Sequence, residues 1–353
     1  MKELNKGVGR RNVLLGMAGL GGTAALAACT GNSKGDGNAK KTTAAVSNGN
    51  SGTGKTVTVG FSAPAADHGW IAAIQRNAES AAKQFSDVKL QSVQPTNDIA
   101  AQIAAVETLI NKKVDVIVML PNDGKQLTTV ARKAMDGGIQ VINLDRVFDS
   151  PLAYRTWIGG DNYGMGVSAG NYIGEQLKQK GVSNPVIAEI AGIDSLPLTQ
   201  QRSQGFKDSL SKYGFKVGPR QAAQFTVQSG QSVTANLLQS APHIDAIWNH
   251  DDDQGIGVLA AIKQANRKEF FMVGGAGSAN AMREIKSGKS VLKATVLYPP
   301  TMASSAVALA RLIGQKKGLS DLTQPEVPAS ITLYSATVTE ANVDQYLSLG
   351  FES

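Results

Sequence analysis

The order of elements predicts an α/β protein built as two doubly wound, parallel-sheet (Rossmann-like) domains. Three observations carry this. Short apolar runs, the mark of strands buried on both faces, recur along the chain. Each is followed by a stretch whose apolar residues fall at helical spacing. The scheme runs through four units, breaks at 154–162 (YRTWIGGDN) and starts again, which needs a second sheet. A chain of 353 residues is long enough for two such cores.

In order, 56–62 reads as a strand, and 69–85 as a helix with Ile71, Ile74, Ala78, Ala81 and Phe85 on one face. Residues 88–93 form the next strand. Residues 99–111 carry Ile99, Ile103, Val106, Leu109 and Ile110 at helical spacing, and 114–120 is an almost unbroken apolar strand. A third helix over 125–136 closes at Gly137-Gly138, and 139–144 is the fourth strand. After the break, 186–190, 199–212, 221–225, 230–239, 244–248, 255–264, 270–273 and 279–287 repeat the alternation. Residues 291–297, 301–313 and 330–338 are too few for a third domain and are expected to return and complete the first two.

The stretch VINLDRV, 141–147, places Asp145 and Arg146 where a buried strand runs out. Ligands of open α/β sheets bind at that end, where loops leave the sheet. A carboxylate beside a guanidinium presents acceptors and fork-shaped donors together, which suits a neutral polyhydroxylated ligand; standing alone, the pair would read as a surface ion pair.

Residues 1–28 read as an export signal. A basic start (Lys2, Lys6, Arg10, Arg11) leads into a Gly-spaced apolar run too interrupted to span a bilayer. The Arg10-Arg11 pair resembles a twin-arginine signal, although Gly9 and Leu15 depart from the usual flanks and leave the general secretory route open. Leu26-Ala27-Ala28-Cys29 is similar to a bacterial lipobox, and Cys29 is the only cysteine, so acylation rather than a disulfide is its expected role. Residues 29–55 are a lipidated cysteine and a Gly, Ser, Asn and Thr-rich tether with too little apolar surface to fold. Without residues 1–28 the chain carries 31 Lys and Arg against 27 Asp and Glu. That balance, scattered as it is, argues against a nucleic-acid partner.

Several motifs carry no function on this reading. GNSGTGKT at 49–56 satisfies the P-loop pattern, but a linker precedes it and a strand follows, where phosphate binding needs strand before and helix after. GVSAG at 166–170 fits a hydrolase elbow, yet Ser168 falls inside a helix expected from about Asn162. His250, Asp251, Asp252 and Asp253 are consecutive at a strand end, point in different directions and cannot share one metal ion.

The order of these elements, with VINLDR, IAG at 190–192, QRSQGF at 201–206, the run 247–257 and MVGG at 272–275, resembles the ribose-binding-like (type I) periplasmic sugar-binding proteins of ABC transporters, over roughly 56–338. The resemblance implies two lobes joined by a three-strand hinge: 56–159 plus 299–330, and 160–298 plus 331–353, with crossings near 159–161, 297–299 and 328–333. It implies ligand contacts from Ser62, His68, Trp70, Asp145 and Arg146 in the first lobe, from Phe225 and Asp251 in the second, and from Gln200 and Tyr298 where the family carries an arginine and a hinge glutamine. Leu120 and Gly275-Ala276 replace polar and aromatic family residues, so selectivity for ribose itself is not expected. The implied function is capture of a monosaccharide or polyol and delivery to ABC transporter permease subunits, by a monomeric, membrane-anchored lipoprotein outside the cytoplasm, with no enzyme activity, cofactor or metal. A sugar sensor serving a membrane receptor is the alternative. A repressor would need a helix-turn-helix where the signal and tether stand, and a glycosidase would need Asp145 and Asp251 across a scissile bond.

Overall fold

The computed structural model describes residues 50–322 and 324–353, so the signal, Cys29 and most of the expected tether lie outside the described residues. The first half is β1 (Val57–Ser62), α1 (Gly69–Gln84), β2 (Val88–Ser92), α2 (Ile99–Asn111), β3 (Val116–Met119), α3 (Gly124–Asp136), β4 (Gln140–Leu144) and β5 (Thr156–Gly160). Then come α4 (Asn162–Gln179), β6 (Ile187–Ala191), α5 (Pro197–Lys212), β7 (Arg220–Ala222), α6 (Val227–Ser240), β8 (Ala246–Asn249), α7 (Asp252–Gln264), β9 (Phe271–Ala276), α8 (Ala279–Ser287) and β10 (Leu292–Leu297). The chain closes with α9 (Met302–Gly314), β11 (Ser330–Leu333), β12 (Thr337–Thr339) and α10 (Val343–Tyr346).

Among the described residues these strands make two six-stranded sheets, ordered β11-β5-β4-β3-β1-β2 and β12-β10-β9-β8-β6-β7. All neighbours are parallel except β12, which runs antiparallel to β10. Each sheet therefore winds outward in both directions from its first strand, and its crevice opens at the strands' carboxyl ends where the winding reverses. The central strands β3, β6 and β8 are buried at every position, β3 as an unbroken apolar run, β6 and β8 with Glu189 and Asn249 as buried polar residues. Helix α9 crosses back to pack on α1 and on β1, β3 and β4 of the first sheet.

Three features differ from the expectations. The break at 154–162 contains a strand, β5, whose two terminal glycines weaken its signal. Glycine is needed there because a Cβ on Gly160 would stand 2.2 Å from the ring of Tyr298. The single element expected over 330–338 is two strands in different sheets, so the third crossing falls at 334–336 and not at 330/331, and β11 belongs wholly to the first sheet. Tyr334, in that crossing, is 82% exposed. The three crossings are bound to one another: Asp161 donates its N–H to the Leu333 carbonyl at 3.0 Å, and its own carbonyl accepts from Ser335 Oγ at 3.2 Å. The Leu297 N–H donates to the Ala336 carbonyl at 2.9 Å.

The third correction concerns residues 50–55, read above as free tether. Arg311 and Asp87 form a buried pair, Nε to Oδ1 at 2.6 Å and Nη2 to Oδ2 at 2.7 Å. Arg311 also donates from Nη1 to the Asn50 carbonyl at 2.5 Å and from Nη2 to the Gly52 carbonyl at 2.6 Å. The Gly54 N–H goes to Asp87 Oδ2 at 2.6 Å, so an amide that a P-loop would offer to phosphate is already taken. Polar side chains buried elsewhere hold this stretch, which has no apolar residue of its own. The hydrogen bonds from Arg311, against the effect of burial, hold the Asp87 carboxyl well below the usual carboxylate range. Its contribution is thus present above the ordinary carboxylate pKa of about 4 and is lost as pH falls through the depressed value. Truncation of Arg311 to Ala leaves Asp87 buried and unpaired, with an expected loss of about 3–5 kcal/mol in urea unfolding at pH 7. The deficit relative to the unsubstituted protein shrinks as the titration is repeated toward pH 3.

Candidate functional site

Strand β4 delivers Asp145 to the crevice. The residue takes the left-handed backbone conformation, φ 62°, which Asp tolerates better than most side chains. Two bonds hold the turn: Asp145 N–H to the Ile158 carbonyl at 2.9 Å, and Trp157 Nε1 to the Asp145 carbonyl at 2.9 Å. Asn143 secures the next residues, donating to the Arg146 carbonyl at 2.8 Å and accepting from the Phe148 N–H at 3.0 Å. The Asp145 carboxylate accepts from the Tyr298 hydroxyl. Arg146 donates from Nη1 to the Asn122 carbonyl at 2.8 Å, and its buried Nε has no partner. No ion pair joins Asp145 to Arg146 among the described residues, so they do not form the simple surface pair their sequence also allowed.

Tyr298 stands in the second crossing and is buried. Its hydroxyl accepts from Asn162 Nδ2 at 3.1 Å, and its carbonyl accepts from Trp70 Nε1 at 2.8 Å. Burial first, then the Asp145 charge, raise the phenol far above its usual value, so it remains a donor toward Asp145. Arg202 reaches in from α5: Nε donates to Asn162 Oδ1 at 2.9 Å, Nη1 donates to the His250 carbonyl at 3.1 Å, and the guanidinium lies 4.6 Å from the centre of the Tyr298 ring.

The lobes meet on the other side of the site. The Trp70 N–H donates to Asp253 Oδ2 at 2.9 Å, and the His68 and Phe225 rings are 6.3 Å apart. Asp251 caps α7 by accepting from the Gln254 N–H at 3.0 Å. Burial pushes its carboxyl up to about 6, with Asp253 adding to the rise and His68 opposing it. Burial acts to lower His68, but its 2.5 Å bond to Asp67 and the charges of Asp251 and Asp253 hold the imidazole above its usual value. For Arg146 burial dominates and lowers the guanidinium, against the charges of Asp145 and Asp67.

One cavity collects most of the expected residues. His68, Trp70, Asp145, Arg146, Phe225, Asp251 and Tyr298 line it. Trp70 is only 5% exposed and serves the core as much as the wall. Two expected residues are elsewhere. Ser62 is buried behind the cavity, where its hydroxyl accepts from Gln102 Nε2 at 3.2 Å. Gln200 is exposed and donates to the Asp194 carbonyl at 3.2 Å. Arg202, which the sequence reading passed over, lines the cavity together with Leu198 and Ala276. The physical reason is helical phase: Leu198, Arg202, Phe206 and Ser209 share the buried face of α5, and a residue two positions from Arg202 is turned some 200° away. That spacing was available in LTQQRSQGF.

The four consecutive polar residues diverge as expected. His250 Nε2 meets Glu189 at 2.9 Å; Asp252 accepts from the Gly275, Gly277 and Ser278 N–H groups and from Thr295; Asp253 turns to Trp70. Among the described residues no three His, Cys, Asp or Glu side chains are grouped to hold a metal ion. Ser168 sits within α4 and donates to the Ser335 carbonyl at 3.3 Å, not to a histidine.

A family model described as a periplasmic binding protein domain matches residues 59–318, spanning both lobes and all the cavity residues. The chain belongs to that family. Among relatives of this periplasmic binding protein is the ribose import binding protein RbsB of Bacillus subtilis (strain 168), 30% identical over 253 residues that cover 72% of this chain and 80% of that one. A crystal structure from Mycobacterium smegmatis in complex with β-D-fucofuranose superposes with a TM-score of 0.74 at 26% identity, covering 83% of this chain and 94% of the other. The fructose-binding periplasmic domain of a hybrid two-component system gives 0.73 at 26% identity, covering 83% and 93%. The family is one of binding proteins, not of enzymes.

Because its folded pKa is raised, Asp251 favours the protein fully only below the unfolded value of 3.8, and that contribution is lost as pH rises toward about 6. Asn keeps the cap without the charge. The Asp251→Asn protein is therefore expected to unfold at similar denaturant to the unsubstituted protein at pH 4 and to be more stable by about 1–3 kcal/mol at pH 7, read from urea titrations at both values.

Proposed function

We propose that this periplasmic binding protein captures a monosaccharide or related polyol between its lobes and passes it to the permease of an ABC importer. The observation that carries the reading is the composition of the one cavity. Carboxylates (Asp145, Asp251) and guanidinium groups (Arg146, Arg202) alternate around it, and the aromatic edges of Phe225, Trp70 and His68 close it. A sugar matches both halves of that surface: hydroxyls need acceptors and donors, and the C–H faces of the ring sit on aromatic surface. Leu198 and Ala276 present no hydrogen-bonding side chain, so the ligand meets that wall with an apolar edge. The relative named for ribose import and the neighbour holding a furanose support the sugar class.

Closure follows from three mutually bonded crossings, with ligand bridging Asp145 and Arg146 of one lobe to Arg202, Phe225 and Asp251 of the other. We further propose that the protein works as a monomer held to the outer face of the cell membrane through lipidated Cys29. The neighbour from a two-component system favours a second reading, in which the closed form is presented to a membrane receptor. Binding to purified permease, set against binding to a receptor ectodomain, separates the two.

Two experiments test the proposal. A thermal-shift screen of residues 50–353 against pentoses, hexoses and polyols is expected to find one that raises the melting point by several degrees at about a thousand times its dissociation constant. Calorimetric titration with that sugar is then expected to show the Asp145→Ala protein weaker by about thirty- to a thousand-fold, through the loss of charge-assisted bonds worth about 2–4 kcal/mol. A change under about threefold, with folding intact, refutes the placement of the site. For the anchor, Cys29→Ser in the full chain is expected to release the protein from membranes with sugar binding unchanged, and retention on membranes after a high-salt wash counts against lipidation.

A further inference from the structure

The cavity does not end at a wall on every side. Asp145, Arg146 and Leu198 are shared with a second, larger groove of about 430 Å³ that runs between the lobes toward Tyr154 and Ser330. The groove is present although the lobes already touch through Trp70 and Asp253.

Its floor is the indole of Trp157. The ring lies over Gly159, where a Cβ would come within 2.3 Å of it, and its only polar atom is spent on the Asp145 carbonyl. Trp157 is half-buried, and the rest of its ring is apolar surface lining the groove. Facing it are Pro197 and Leu198 in the first turn of α5. Around the rim, the side chains of Lys125 and Asp149 from one lobe and of Ser195 and Gln201 from the other have no hydrogen-bond partner among the described residues. An aromatic platform with uncommitted polar groups around it is the same chemistry as the inner cavity, repeated further out. Nothing about a ligand confined to the inner cavity requires it.

We propose that this groove is a second subsite, and that the ligand is a glycoside: the inner cavity takes its first ring, as the reading above holds, and the groove takes the second ring or other substituent on the anomeric oxygen, stacked on Trp157. Arg146, lining both spaces, stands at the junction.

The test pairs each of D-ribose, D-galactose, L-arabinose and D-fructose with its methyl and phenyl glycosides in both anomeric forms, titrated calorimetrically into residues 50–353. For the sugar that binds, one methyl glycoside is expected within about threefold of the free sugar, and the matching phenyl glycoside about tenfold tighter than it. In Trp157→Ala the ratio of phenyl-glycoside to free-sugar affinity is expected to fall to about one; taking the ratio cancels any disturbance passed to Asp145 through the lost indole bond. Gln201→Ala, whose side chain lines the groove and not the inner cavity and has no hydrogen-bond partner among the described residues, is expected to lower the same ratio with free-sugar affinity unchanged. If both methyl glycosides of a sugar that binds are about a hundredfold weaker than it, the anomeric oxygen is enclosed and the second subsite is refuted. Retention of the full phenyl gain in Trp157→Ala refutes it as well. A sugar found outside these four by the thermal-shift screen is carried through the same glycoside comparison, and if nothing in that whole screen binds, the failure lies in the sugar-binding reading itself.

Discussion

Everything at the centre of this molecule is arranged around the ring of Tyr298. Its hydroxyl stands between the Asp145 carboxylate and the Asn162 amide, its carbonyl receives the Trp70 indole, the Arg202 guanidinium covers one part of the ring, and Gly160 leaves room for another. Elements from both sheets are thereby referred to one residue in a hinge crossing. A buried hydroxyl with both its roles satisfied is stable, whereas each group around it would be costly to leave unpaired. The positions of Asp145 and Arg202 relative to each other thus depend on the contacts of a residue in a hinge crossing.

The run His250 to Asp253 shows how a dense set of charges is made tolerable. Each carboxylate or imidazole meets a different part of the structure: Glu189 inside the second lobe, the amide of Gln254, the turn after β9, and the first turn of α1 across the cleft. Burial raises the carboxyls of both Asp251 and Asp252, and of the two only Asp251 lines the cavity. The same loop therefore caps a helix, braces a sheet, joins the lobes and faces the ligand space.

Much of the fold could be read from the chain because buried parallel strands and amphipathic helices leave strong periodic marks, as in 114–120 and 99–111. What could not be read was set by contacts distant in sequence. Strand β5 is hidden by Gly159 and Gly160, and the reason for Gly160 is the Tyr298 ring, more than a hundred residues away. The division of 330–338 depends on which sheet edge each half meets, and residues 50–55 are ordered by Arg311 from α9. At the site, Asp145 and Arg146 stood out by their place at a strand end, while Gln200 was taken for Arg202 because motif matching ignored helical phase. Ser62 lies at a strand end too, but its hydroxyl is engaged by Gln102 before it can face the cleft.

The winding described for the two sheets also orients their helices. Those that follow a strand begin at its carboxyl end, and α1, α3, α4, α5 and α7 each have a residue of the first turn, or the one just before it, on the wall of the cavity or the groove. Their partial positive ends therefore converge on one small volume. This collective field makes it reasonable for so many acids to gather there, with Asp123, Asp145, Asp149 and Asp251 all on its boundary. The cleft is then close to electrically balanced but strongly polarised, a medium that rewards a neutral molecule with many dipoles and penalises a simple ion of either sign.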